Sequence, residues 1–230
     1  MNSWNRFFEE VFSKGSYTFI VDGLKNTLLI AVFGLIIGII LGSFLAIFKI
    51  LPQKSIVKVI SRLVDVYVVI FRGIPMVVQL LIIHFIVLKP LNIPNKELIE
   101  AIIAFGLNSS AYVCEIMRGG ILSVDIGQTE AGRALGLNYG QTMMRIVLPQ
   151  AIKNVVPTLG NEFIALLKET SVVGFVAGVD LKVAFDRIGM STLDVIVPYI
   201  VLALVYLVLV LAATGIVKLI ERRLRAGDRR

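Results

Sequence analysis

The chain has 230 residues, 57% of them hydrophobic and only 17% charged, against roughly 25% charged residues in a soluble globular domain. With a mean hydropathy of +0.87, a soluble domain is set aside and a membrane-embedded protein is the first reading. The net charge of +7 is accounted for by basic residues held on cytoplasmic loops, so no nucleic-acid partner is expected.

Residues 1–24 form an N-terminal amphipathic segment, opening MNSWNRFFEEVFSKGSYTF. It is aromatic and acidic, unlike the charged start and apolar core of a secretory signal. Five spans are predicted, at about 25–48, 63–88, 99–117, 150–172 and 196–218, with a loop at 119–149 and a basic tail at 221–230. The uncharged runs Leu28 to Phe48 and Ile196 to Val217 meet the length of about 20 apolar residues that a bilayer crossing needs. The fold class is therefore all-α integral membrane.

The first span carries Gly34, Gly38 and Gly42 at four-residue spacing, one face on which another helix can approach closely. The second is interrupted at Arg72-Gly73-Ile74-Pro75. Glycine and proline break helices, and broken helices in transporters line cavities. Arg72 and Pro75 thus mark either a pathway or gate, or a structural kink near the cytoplasmic side. His84, the single histidine, has no carboxylate or cysteine at ligand spacing and reads as a helix contact, so no metal site is expected. Lys89-Pro90 and Pro94 mark a tight outer connection.

In the third span Asn108, Tyr112 and Glu115 stand at i, i+4 and i+7, on one helical face, with Ser109 beside them. Glu115 and Arg118, three apart, can form a salt bridge with a structural or gating role. The lone Cys114 excludes an intrachain disulfide.

The stretch EAGRALGLNYGQTMMRIVLPQ, Glu130 to Gln150, is mild and partly polar between oily neighbours. It reads as helix, turn, helix: Gly136 and Asn138-Tyr139-Gly140 end the first run, Gln141 to Val147 continue, and Leu148-Pro149 open the next span, where proline at a first turn is tolerated. The fourth span carries Asn161 and Glu162 inside, and Lys168, Glu169 and Thr170 near its outer end. Lysine and arginine counts alternate 3, 4, 2, 4, 2 and 6 from the N-terminus through the loops to the tail. By the positive-inside bias the N-terminus lies outside, and the 119–149 loop and C-terminus inside.

Glu130-Ala131-Gly132, then Gly136, then Ile146-Val147-Leu148-Pro149 after nine residues, resembles the EAA loop of ABC importer permeases. Gly132 departs from the family's usual second alanine. Phe71-Arg72-Gly73-Ile74-Pro75 with Gln79-Leu80, Gly106 to Tyr112 followed by Glu115 to Gly120, and Leu167 to Ser171 resemble the polar amino acid uptake branch, whose members carry histidine, arginine, lysine, glutamate, glutamine, cystine or opines. The resemblance covers nearly the whole chain. It implies the type I importer fold in a bacterial inner membrane, and a non-catalytic subunit with no cofactor of its own. It also implies a second permease subunit, identical or related, two ABC ATPases that hold ATP and Mg, and an extracytoplasmic amino-acid-binding protein. The ATPases would dock on Glu130, Ala131, Gly132, Ala134, Leu135 and Gly136. No Walker A sequence occurs in the chain, so ATP phosphates have no such loop here. The alternative, an ion-coupled secondary transporter, calls for inverted repeats, which the sequence does not display.

An amino acid in the membrane needs polar groups at one depth from different helices. At about 1.5 Å per residue, Glu162 lies roughly 18 Å from the inner face and Asn108 roughly 13 Å from the outer. In a core about 30 Å thick the two meet at nearly one level. Asn108, Ser109, Tyr112 and Glu162 are the expected substrate path, with Glu169 and Thr170 placed by the resemblance at an outer gate. The competing reading is that these residues tie helices together.

Overall fold

The computed structural model describes residues 2–52, 54–90 and 94–226, and every regular element among them is helical. Arg229 and Arg230, the side chain of Arg225, and the middle of the connection between Pro90 and Pro94 lie outside the described residues. In chain order, α1 (Ser3–Phe8) runs into a π-helical turn (Glu9–Ser13); α2 spans Tyr17–Ile50 and α3 Ser55–Gly73; α4 (Met76–Ile82) continues as a π-helical turn (Ile83–Val87); α5 spans Lys96–Leu122. Next come α6 (Ile126–Ala134), α7 (Tyr139–Thr142) with a π-helical turn (Met143–Val147), α8 (Leu148–Glu169), a 3₁₀ segment (Thr170–Val176), α9 (Leu181–Thr192) and α10 (Ile196–Arg225).

Among the described residues three helices, α2, α5 and α10, are long and apolar enough to cross a membrane, and the bent pair α3 and α4 adds a fourth if counted as one span. At 22 residues α8 has the length for a fifth, but Lys153, Glu162, Lys168 and Glu169 dilute its hydropathy. Composition therefore carries four of the five expected spans, and α8 owes its place to packing between α5 and α10.

Lipid tails are as apolar as leucine, so close packing and buried hydrogen bonds must hold these helices together. The glycine face of α2 does this against α5. A Cβ on Gly38 would fall 2.6 Å from Ser109 Oγ, and one on Gly42 2.6 Å from the Ser110 carbonyl oxygen. Only hydrogen fits there, so the three-glycine stripe sets how near the two backbones come. Phe105, fully buried, sits at the centre with Ile30, Leu80, Leu166 and Leu167. At the inner end Ala46, Val64, Val68 and Ala111 form a second cluster. At the outer end Phe7, Phe185, Ile188 and Val197 form a third.

Several boundaries differ from the sequence reading. α2 begins at Tyr17, eight residues before the predicted start, because the polar stretch around Asp22, Lys25 and Asn26 is helical too. There Asn26 Nδ2 donates to the Val179 carbonyl at 2.8 Å and Leu181 N–H donates to Thr27 Oγ1 at 3.1 Å. α8 stops at Glu169 and tightens into the 3₁₀ segment, where Thr170 Oγ1 donates back to the Leu167 carbonyl at 2.9 Å. α8 begins at Leu148 with Pro149 in its first turn, where a missing N–H is tolerated, and the π-helical turn Met143–Val147 leads into it without a break in the chain's helical path. Between the last two spans the structure contains an unpredicted helix, α9, whose N-cap Asp180 accepts from Val183 N–H at 2.9 Å.

Candidate functional site

The middle of α5 faces both halves of the broken span and α8. Ser109, fully buried, donates from Oγ to Glu162 Oε1 at 2.9 Å. Asn108 Nδ2 donates to Met76 Sδ at 3.2 Å, and its Oδ1 is buried with no hydrogen-bond partner among the described residues. One turn on, the Arg72 guanidinium lies 5.0 Å from the centroid of the Tyr112 ring, within cation–π range. A carboxylate, an unengaged amide oxygen and a guanidinium, carried by three chain segments, are thus gathered along one face of α5. That set can meet a ligand bearing both a positive and a negative group.

The geometry depends on the break at Arg72 to Pro75. α3 and α4 meet at 106°. Pro75 cannot donate to the Phe71 carbonyl four residues back. Gln79 Nε2 does so instead, at 2.8 Å, and also reaches the Ile74 carbonyl at 2.7 Å. The glutamine of the F-R-G-x-P-x-x-x-Q pattern therefore replaces the one hydrogen bond that the proline removes and also satisfies the Ile74 carbonyl at the break. Tyr67 ties the last turns of α3 to α5, with its hydroxyl 2.6 Å from Ser110 Oγ and donating to the Leu107 carbonyl at 2.9 Å.

The remaining sequence candidates separate. Glu169 is exposed two turns beyond Glu162 on the same face of α8, whereas Thr170 is fully buried with its hydroxyl turned to backbone. Glu115 and Arg118 pair at 2.8 Å. Two unpredicted partners join them: Lys49 reaches Glu115 and Asp65, both at 2.7 Å, linking the inner ends of α2, α3 and α5. His84 is a helix contact, but one with a carboxylate: its Nδ1 lies 2.6 Å from Oε2 of the fully buried Glu100. Lys96 stands 3.7 Å from the other oxygen. Sequence spacing hid this pair, because sixteen residues and a turn of chain separate its members.

The stretch 126–147 is a helical hairpin. Asp125 caps α6 by accepting from Gly127 N–H at 2.6 Å. Gly136 ends it in the left-handed region at φ 80°, with Gly136 N–H on the Arg133 carbonyl and Leu137 N–H on the Gly132 carbonyl, the Schellman pattern that favours glycine. Asn138, predicted to end the first leg, instead opens the second: it forms a capping box with Gln141. Gly132 is buried where the legs touch. A Cβ there would lie 2.7 Å from Thr142 Cγ2, so Thr142 occupies the space that the family's alanine methyl would take. Glu130, Ala131, Ala134, Leu135 and Gly136 are exposed, Leu135 at 79%. Tyr139 OH donates to the Ile50 carbonyl at 3.2 Å, which fastens the hairpin to the inner end of α2.

A helical membrane core, broken beside a polar cluster and carrying an exposed rigid hairpin at one end, defines a transport subunit of the type I importer class. The family described as binding-protein-dependent transport system inner membrane component matches residues 34–226, and the chain belongs to that family. It is 41% identical over 210 residues to the arginine transport system permease protein of Bacillus subtilis, covering 91% of this chain and 94% of that one. It is 37% identical over 206 residues to a putative glutamine transport system permease protein of Rickettsia bellii, covering 90% and 93%. A crystal structure of an amino acid ABC transporter with histidines superposes with a TM-score of 0.83 at 39% identity, covering 92% of this chain and 97% of its own. The inward-facing MetNI methionine ABC transporter, 22% identical, shares the fold with a TM-score of 0.70 over 91% and 96%.

Proposed function

We propose that this chain is the pore-forming subunit of an ATP-driven importer for a polar or charged amino acid, and that Asn108, Ser109, Tyr112, Arg72 and Glu162 line its path. The observation that carries the reading is the convergence of the Ser109–Glu162 hydrogen bond, the unengaged Asn108 oxygen and the Arg72–Tyr112 contact on one face of α5. Glu162 and the unengaged Asn108 Oδ1 meet the amino group, and Arg72 meets the carboxylate end. Glu169 stands as the outer approach to Glu162. Thr170, turned inward, supports the end of α8.

The charge count sets the N-terminus outside the bacterial inner membrane and the hairpin inside. Two permease subunits, identical or related, form the pore. An extracytoplasmic binding protein delivers the substrate. ATP is hydrolysed, with Mg, on two separate ATPase subunits that grip α6 through Leu135 and its exposed neighbours. Their closure moves the hairpin, and α8, continuous with it, carries that motion to Glu162. The 119–149 loop works as the coupling unit and the basic residues after 220 as its cytoplasmic neighbour.

The test is uptake and substrate-stimulated ATPase activity in proteoliposomes holding the complete transporter and its binding protein. Glu162→Gln and Asn108→Ala are expected to raise the half-saturating concentration of delivered substrate by about tenfold, equivalent to roughly 1.4 kcal/mol, with hydrolysis in the absence of substrate retained. Unchanged half-saturation in both variants removes these residues from the path. Uptake without any nucleotide-hydrolysing subunit overturns the ATP-driven reading itself.

A further inference from the structure

The transport reading makes no use of the first helix, although its side chains are sorted with care. Phe7 and Val11 point inward, 4% and 5% exposed, into the cluster of Phe185, Ile188 and Val197. Phe7 lies against Phe185 with ring centroids 6.5 Å apart. Glu10, also buried, accepts from Ser16 Oγ at 3.0 Å and pairs with Lys14 at 3.0 Å, which fixes the corner between this helix and α2. The opposite face carries Trp4, Phe8 and Phe12 at i, i+4 and i+8, exposed by 41%, 50% and 68%. Their rings stack in a row at 6.3 and 6.2 Å.

Three aromatic rings held in line over water would be costly. At the start of α2, Tyr17 and Val21, four residues apart on one helix face, are likewise exposed, by 51% and 58%. Only 28% of that helix's most apolar window is buried in the protein, which leaves the rest to lipid and to the second permease subunit. The segment from Ser3 to Ser13 is too short to cross a bilayer, which takes about 20 residues. Aromatic rings concentrate at the headgroup level, and short helices with one apolar face lie in that plane.

We propose that α1 and its π-helical turn form an interfacial anchor, seated with the Trp4–Phe8–Phe12 row in the phospholipid headgroup and upper acyl region of the leaflet opposite the coupling hairpin. The occupant of this face is lipid, not a protein partner. Because Phe7 and Val11 grip α9, the anchor also holds α9 at a fixed depth.

Trp4 is the single tryptophan of the chain, so it reports its own surroundings. The complete transporter is placed in nanodiscs whose lipids carry bromine high on the acyl chains, bromine near the terminal methyls, or a spin label on the headgroup. The Trp4 signal is the difference in emission between the wild type and Trp4→Phe, which cancels tryptophans of the other subunits. Loss of that signal is expected to be strongest with the headgroup label and the shallow bromine, and weakest with the deep bromine. Phe8→Asn with Phe12→Asn, both at exposed positions, is expected to weaken the shallow quenching. Equal emission with and without every lipid-borne quencher, whether Trp4 is covered by protein or open to water, overturns the proposal. So does quenching that is strongest with the deep bromine.

Discussion

The two ends of α5 solve the same electrostatic problem in opposite ways. At the outer end Glu100 is fully buried, with His84 at 2.6 Å and Lys96 at 3.7 Å, and its Oε1 makes no hydrogen bond among the described residues. At the inner end the Glu115 side chain is 21% exposed and is held by Lys49 and by Arg118 through two nitrogens, while Lys49 also reaches Asp65. The outer carboxylate is itself fully buried and depends on one close partner. The inner one belongs to a redundant network that water can enter. Burial makes a single contact decisive, and redundancy makes each contact expendable.

The largest effect that would sharpen this contrast is His84→Ala. Removing it leaves the buried Glu100 with only Lys96, at 3.7 Å, at a cost approaching about 3 kcal/mol, read from thermal or denaturant unfolding of the detergent-solubilised transporter. Arg118→Ala is expected to cost less than about 1 kcal/mol, because Lys49 still satisfies Glu115. Equal losses in the two variants would erase the distinction between the ends. The smallest effect concerns the Lys14–Glu10 pair beside the first helix, which lies outside the spans. The Lys14 ammonium holds the Glu10 carboxyl below its usual range. A lowered acid contributes stability above its unfolded value, about 4.3, and loses it only as pH falls through the lower folded value. Hydrogen-exchange protection of residues 3–14 is therefore expected to stay constant from pH 7 to about 5 and to decline only below about 4.3. A decline already at neutral pH would assign the protection to a group other than Glu10.

Local pattern made much of the molecule legible. The four-residue glycine spacing identifies a contact face of α2, and the structure supplies its partner, the Ser109–Ser110 turn of α5. Arg72 to Pro75 marks an interruption, although neither the 106° angle nor the repair by Gln79 is written in adjacent residues. The i, i+4 spacing of Asn108 and Tyr112, with a depth estimate along α8, places Glu162 at the level where Ser109 meets it. Long-range partners were not legible. Lys49 and Asp65 join Glu115 across 66 and 50 residues, and His84 finds Glu100 only after the chain reverses. α9 had a signal that went unread. Asp180 is an N-cap, followed by Leu181, Phe185 and Ile188 at helical spacing, but its Lys182, Asp186 and Arg187 give the stretch the polarity of a loop.

The interlock of Gly38 and Gly42 with α5 bears on how the alternation between inward and outward access must be built. Sliding α2 along its neighbour by one turn, about 5.4 Å, would bring Ala46 to the place of Gly42, where a methyl falls 2.6 Å from the Ser110 carbonyl oxygen. A slide in that direction is therefore blocked, and the contact holds α2 and α5 in one register. A change of access that keeps this contact has to move α2 and α5 together.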